Sequence, residues 1–386
     1  PSGENHIVDQ ESALLADAGH HVIKFERRSD DIASMSPLAR ASVPLKVPWN
    51  TAVRAELGEL LHRHRPDVVH IHNTFPLVSP SAVAACADAG IPAVATLHNY
   101  RQVCPRGDLY RNGQICMDCV GQLPLPALRH GCYRDSRLAT LPLTVNLVAN
   151  RRRWWSGVTF FFCVSDAQKK VLIQAGMPAQ RLIVKPHFVP DPGIRRARPG
   201  DHVLCLSRID EAKGLPLLMA AWDLIAASGG IGMPLVLAGA GPLEGAVARW
   251  ANNRKDVQYL GLQSRAECSK LMVRATVLVV PSVWLETFGL VLVEAMAAAV
   301  PAVAAAHGGC GDLVDDHVTG LLHQPGDAAS LADCLRRAVA DTGWNLALGN
   351  AARHRYERHF TPEVGLAALV RGYERAIAAA GCGERW

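Results

Sequence analysis

The chain has 386 residues, 49% of them hydrophobic and 19% charged, with a formal net charge of +5. That length exceeds one ordinary core and predicts two domains, and that composition excludes a disordered chain. No apolar run reaches the roughly 18 residues of a membrane span, and the opening PSGENHIVDQE has neither the basic nor the apolar region of a secretion signal.

The eleven cysteines, an odd number spread over a long chain, argue for a reducing, cytoplasmic setting rather than a disulfide scaffold. Charge is uneven. Through position 195 there are 22 Lys/Arg against 16 Asp/Glu, giving +6, and the remainder has 18 against 19, giving −1. A basic first half suits a phosphorylated substrate or peripheral contact with the anionic inner face of a membrane. No nucleic-acid motif accompanies it, so nucleic acid is not expected as a partner.

In chain order, residues 11–18 predict a first helix, with PSGEN as the loop leading into it. A doubly wound domain places a strand before such a loop, so an apolar strand of about 5–6 residues is expected ahead of Pro1. Short β-branched runs then recur, each followed by a helical pattern. The first series is 20–26, 66–73, 91–99, 159–165 and 181–189, and the second is 201–209, 233–241, 256–261, 275–282 and 300–306. Solid apolar strands alternating with helices give parallel sheets covered on both faces, and two series give two doubly wound α/β domains.

Pro, Gly and Arg replace the apolar pattern over 189–201, which sets the expected join. It divides a first domain, 1–194, from a second, 195–361. From Pro362 an amphipathic helix, 362–386, with Leu366, Leu369, Val370, Tyr373 and Ile377 on one face, is expected to pack back on the first domain.

Two segments of the first domain stand out. Cys104, Cys116, Cys119 and Cys132 bracket a Gly- and Pro-rich loop, 104–132, with eleven, two and twelve residues between them. That arrangement matches a four-thiolate structural zinc site, with four unrelated thiols as the plainer alternative. RRRWW, 151–155, joins three cations to two large rings. It fits membrane docking, acceptor binding or a plain helix with buried tryptophans. His70 and His72 alternate along a strand and resemble a metal pair, but an edge position for His72 and Asn73 suits them better.

The second domain carries PSVWLETFGLVLVEAMAAAVPAVA, 281–304. A strand ends before Val283 and a helix begins at Leu290, so Thr287, Phe288, Gly289 and Leu290 present free N–H groups suited to phosphate. Glu286 precedes that start and Glu294 lies about 6–9 Å along the helix at 1.5 Å per residue, where a carboxylate can accept from both ribose hydroxyls. SRIDEAKG, 207–214, follows another strand end and supplies Arg208 and Lys213 to neutralise a diphosphate. No Asp-x-Asp occurs, so no catalytic metal is expected, and positive side chains with a helix start take its place.

The order SRIDEAKG, LAGAGP, PSVWLETFGLVLVEAMA, HGG and VTGLL resembles retaining glycosyltransferases of the GT-B fold, family 4, over essentially the whole chain. The resemblance implies two Rossmann-like domains facing a central cleft, with a UDP- or GDP-sugar as donor and a hydroxyl as acceptor. It implies that Arg208 and Lys213 contact the diphosphate, Glu286 the sugar and Glu294 the ribose. It also implies that Gly3 lies near the phosphates, that His98 of TLHN faces the donor sugar, and that the Gly239 and Gly241 loop borders the donor. Other readings are an epimerase of the same fold and a non-catalytic nucleotide-sugar-binding protein.

Overall fold

In the computed structural model of the chain, residues 3–381 are described. They divide into two compact units. One comprises the chain up to Leu109, Cys116–Lys185 and the chain from Leu366, and the other comprises Tyr110–Ile115 and Pro186–Gly365.

The first unit is built on β1 (Val69–Ile71), β2 (Ala93–Leu97), β5 (Phe160–Cys163) and β6 (Leu182–Val184), all parallel in the order β1-β2-β5-β6. In the chain between β2 and β5, the cysteine-rich stretch carries a short antiparallel pair, β3 (Tyr110–Arg111) and β4 (Gln114–Ile115), whose residues are counted with the second unit. The main strands are largely apolar: Val94, Phe161, Phe162 and Cys163 are fully buried, as a sheet covered on both faces requires, while His70 of β1 and Thr96 of β2 are paired with each other. The helix Pro362–Gly381 packs Leu366, Leu369, Val370 and Tyr373 against Val94 and Phe162. Ile377 is instead 40% exposed, and Ala376 takes the buried place beside it.

Two expectations for this unit fail. Residues 20–26 form no strand. Val22 packs on the core, but the segment joins no ladder, and β2 is the partner of β1 among the described residues. An alternating apolar pattern orients side chains; a strand also needs a neighbouring backbone. PSGEN is not a loop either, since a helix runs Gly3–Asp17 and takes Gly3, Glu4 and Asn5 as its first turn. Pro1 and Ser2 lie outside the described residues.

The second unit has a six-stranded parallel sheet of β7 (His202–Leu206), β8 (Leu235–Ala238), β9 (Val257–Tyr259), β10 (Ala275–Val280), β11 (Ala302–Ala305) and β12 (Gly320–His323). The order is β12-β11-β10-β7-β8-β9. Its core joins Val203, Cys205, Leu235, Leu237, Val277, Val279 and Val303 to Leu218, Trp222, Leu331 and Leu335. Each fully buried aliphatic side chain of this kind contributes about 1.5–3 kcal/mol.

The chain moves outward through β7, β8 and β9, returns beside β7 as β10, and moves outward the other way. β7 and β10 therefore flank the reversal point, and ligands of such sheets bind beyond the carboxyl ends there. Residues 207–214 and 281–289 are the segments that leave those two ends. No helix among the described residues is long and apolar enough to cross a membrane.

Candidate active site

After β7 the chain turns tightly around Asp210, which is 6% exposed. Its carboxylate accepts the Lys213 backbone N–H at 2.8 Å and pairs with the Arg208 guanidinium, which otherwise stays largely exposed. Lys213 is thereby aimed at the loop after β10. Its Nζ donates to both carboxylate oxygens of Glu286, at 2.9 and 2.8 Å. Glu286 also accepts from Ser282 Oγ at 3.1 Å and Trp284 Nε1 at 3.0 Å. The Lys213 ammonium lies 5.3 Å from the centre of the Trp284 ring, close enough for a cation–π contribution. Burial works against the Lys213 charge, but Glu286 and its hydrogen bonds hold the ammonium above the ordinary lysine range.

The surrounding backbone is packed loop on loop. Gly309 N–H donates to Glu286 O at 2.6 Å. A Cβ on Gly309 would stand 2.7 Å from Phe288 Cα, so only glycine fits there. His307 Nε2 lies 2.9 Å from Ser282 O, tying the loop after β11 to the loop after β10. A Cβ on Gly239 would fall 1.8 Å from Ser207 O, so that glycine serves close approach of the loops after β7 and β8. Gly241 approaches Ile209 O in the same way.

Gly289, at φ +105°, caps the helix Leu290–Ala297 with no side-chain partner for the first turn. Phe288 turns its ring inward against His187 and Phe360, and Thr287 is buried. Glu294 sits one turn into this helix, partly exposed, 3.9 Å from Arg265. Desolvation by the surrounding walls raises its carboxyl above the usual range, while Arg265 pulls it back.

In the first unit, His98 follows β2 and His72 follows β1. Their rings share a hydrogen bond at 3.0 Å between His98 Nε2 and His72 Nδ1. Behind them lies a buried ion pair, Lys185 with Glu11, at 1% and 2% exposure. His72 Nε2 stands 3.6 Å from Glu11 Oε2. Burial pushes both imidazoles down to about 3, with nearby positive groups adding to the effect, so both rings are neutral near pH 7. Gln168, fully buried, holds the end of β2 by donating to Leu97 O at 2.8 Å. His98, Asn73, Asn99, Arg101, Asn146 and Trp155 line one cleft of this unit. Glu4 accepts from Asn73 at 3.2 Å, and burial pushes its carboxyl up to about 7. Gly3 opens the helix that carries Glu4.

Cys104, Cys116 and Cys132 all lie within electrostatic reach of Cys119. Cys104 Sγ accepts Gly107 N–H at 3.4 Å and is also bonded by the backbone of Leu109 and Arg106. Among the described residues no three of their sulfurs fall within 4.8 Å of one another. Among the described residues the group that is so spaced is Glu11, His70 and His72, within 4.8 Å. Lys185 already occupies the carboxylate of that group, and His70 spends both nitrogens on Tyr373 and Thr96. Those partners fit a core network better than a metal centre, with Glu11 Oε2 the one oxygen of the group that accepts no hydrogen bond.

RRRWW resolves mainly into packing. Trp154 is buried, Arg151 lies over the Trp155 ring at 4.2 Å, and Arg153 lies over Trp49 at 4.6 Å. Asp210, Ser282, Trp284, His307 and the Glu11–Lys185 pair were not legible as site residues in sequence. For Ser282 and Trp284 the signal was only their nearness to Glu286.

The family described as Glycosyltransferase Family 4 matches residues 2–191, and Glycosyl transferases group 1 matches residues 196–355. The chain belongs to the GT-B glycosyltransferases of the family 4 type. The D-inositol 3-phosphate glycosyltransferase of Salinispora arenicola (strain CNS-205) is 38% identical over 125 residues, 32% of this chain and 28% of that one. The amylovoran biosynthesis glycosyltransferase AmsK of Erwinia amylovora is 27% identical over 225 residues, 55% of each. The match thus spans about a quarter to a half of these relatives. The crystal structure of Anabaena HepE in complex with UDP superposes with a TM-score of 0.65 at 19% identity, covering 97% of each chain. At that identity it is the GT-B fold that is shared.

Proposed function

We propose that this GT-B glycosyltransferase moves a sugar from a nucleoside-diphosphate sugar to an acceptor hydroxyl, with retention at the anomeric carbon and no metal in the chemical step. The observation that carries the proposal is the Lys213–Glu286 pair, set beside an uncapped helix start at the reversal point of the second sheet. HepE binds UDP and UDP-glucose, which supports a UDP-sugar as the first donor to try, with GDP-sugars next.

In this reading Lys213, with three donors, keeps Glu286 and reaches a phosphate oxygen. Arg208 and the N–H groups of Phe288, Gly289 and Leu290 share the remaining charge of the departing diphosphate. Glu286 accepts from Lys213, Ser282 and Trp284. So held, it is a weak nucleophile and a good positioner of sugar hydroxyls. Retention then needs no covalent enzyme intermediate. The bond from C1 to the phosphate oxygen breaks, the acceptor oxygen bonds C1 on the same face, and its proton passes to the departing phosphate oxygen. Glu294 serves the ribose, and the loop of Gly239 and Gly241 borders the donor.

The proposal keeps Cys104, Cys116, Cys119 and Cys132 as ligands of a structural zinc. Support comes from the backbone N–H groups aimed at Cys104, which favour its thiolate against the burial that raises the thiol. Zinc there would tie a loop rich in left-handed residues, among them Gly107, Leu109, Asn112, Gly121 and Gly131.

The test is a panel of UDP-, GDP- and ADP-sugars, following free nucleoside diphosphate with and without an alcohol or sugar acceptor, in the presence of EDTA. Acceptor-dependent release with a retained anomer is expected. An inverted anomer removes retention. Donor sugar interconverted without acceptor makes the protein an epimerase, and binding without release makes it a non-catalytic binder.

A further inference from the structure

The helix Arg137–Gly157 is 21 residues long and contains no acid. One side packs inward through Leu143, Thr144, Asn150 and Trp154. Along the other, Leu138, Leu141, Val145 and Val148 recur at spacings of three, four and three, and stand 83, 43, 42 and 45% exposed. Spacing of that kind keeps side chains on one face of a helix. The preceding stretch adds Leu123 and Leu125, 52 and 57% exposed. An exposed apolar stripe on a folded helix marks a surface that meets something other than water.

Charge identifies what it meets. Residues 123–156 hold six arginines, at 129, 134, 137, 151, 152 and 153, and one acid, Asp135. Their excess, six minus one, equals the net +5 of all 386 residues. Arg151 and Arg153 stack on tryptophans, but Arg129, Arg134, Arg137 and Arg152 are exposed. A second protein could cover the leucines. Another copy of this chain would bring the same unneutralised arginines against them, which favours an anionic partner.

We infer that the stripe Leu138–Leu141–Val145–Val148, with the exposed arginines around it, docks the first unit on an anionic lipid surface. The apolar side chains enter the headgroup boundary while the guanidinium groups meet phosphate. This places lipid contact on the N-terminal part of the helix rather than on Trp154 and Trp155, and it does not depend on the transfer reaction proposed above.

The experiment is co-sedimentation of the full chain with vesicles of phosphatidylcholine containing about 30% phosphatidylglycerol, against pure phosphatidylcholine. Partition to anionic vesicles is expected to exceed that to neutral ones at least about 10-fold and to weaken in 0.5 M salt, as surface attraction must. Leu138→Glu with Val145→Glu is expected to remove it. If that variant loses its thermal transition, Leu138→Gln with Val148→Thr takes its place, and Arg152→Ala tests charge alone. Equal binding by folded stripe variants overturns the proposal, as does no binding by the parent chain. Concentration-dependent dimerisation that the same variants abolish, without lipid binding, overturns it in favour of a second copy.

Discussion

Glu286 and Lys213, 73 residues apart in the chain, close on each other with Nζ at 2.9 and 2.8 Å from the two carboxylate oxygens. Strands β7 and β10 lie side by side in the sheet, so the loops at their carboxyl ends deliver one residue each to a common point. Because the two act as a unit, single and double variants should be far from additive. Lys213→Ala is expected to lower turnover about 100-fold or more, the usual loss for one preorganised electrostatic contact. Glu286→Ala should cost at least as much, and the double variant should be within about threefold of the worse single one. Steady-state diphosphate release checks this, with thermal melting to confirm folding. Near-normal turnover of Lys213→Ala would remove the donor site from this pair.

Glu11 and Lys185 form a fully buried ion pair in the first unit. Removing one member leaves the other charge buried without a partner, a loss of about 3–5 kcal/mol. Glu11→Ala is therefore expected to lower the stability of the first unit by that order. Glu11→Leu combined with Lys185→Met should recover most of it. Chemical denaturation of the three proteins decides the matter, and a Glu11→Ala cost under about 1 kcal/mol would show the pair to be marginal.

The pH response follows from His72 and His98. Burial holds both near 3 in the fold, against about 6.5 when unfolded. Their contribution is thus complete above about pH 6.5 and is lost as pH falls from there toward 3, because the unfolded chain takes up protons first. Each unit of withheld protonation corresponds to about 1.4 kcal/mol. Melting temperature should drop across that window, and His72→Gln should flatten the drop. An identical slope in parent and variant contradicts the assignment.

Zinc in the cysteine loop is checked by metal analysis of protein purified without chelator, with about one ion per chain expected. Cys119→Ser should lose that ion and destabilise the protein, and binding should weaken toward low pH because thiolates must shed their protons. Protein with no stoichiometric zinc and four titratable thiols refutes the proposal.

Some of this architecture was legible in the sequence for local reasons. Runs such as VLVV and FFFC are apolar at every position, which suits a strand covered on both faces. The run at 20–26 misled because its alternation is a side-chain property, while a strand also requires a neighbour. Ile377 misled because Ala376, too small to register as apolar, fills the buried place.

By itself the sequence determined the alternating α/β pattern, the strand-end positions of Arg208, Lys213 and Glu286, and the cysteine spacing, since each depends on residues close together in the chain. Tertiary structure alone decided that Lys213 grips Glu286, that Ser282 and Trp284 hold it in place, and that Glu11 and Lys185 stand behind His72 and His98. Those partners are brought together by the order of strands in a sheet, and strand order is set by packing over the whole unit rather than by any local run of residues.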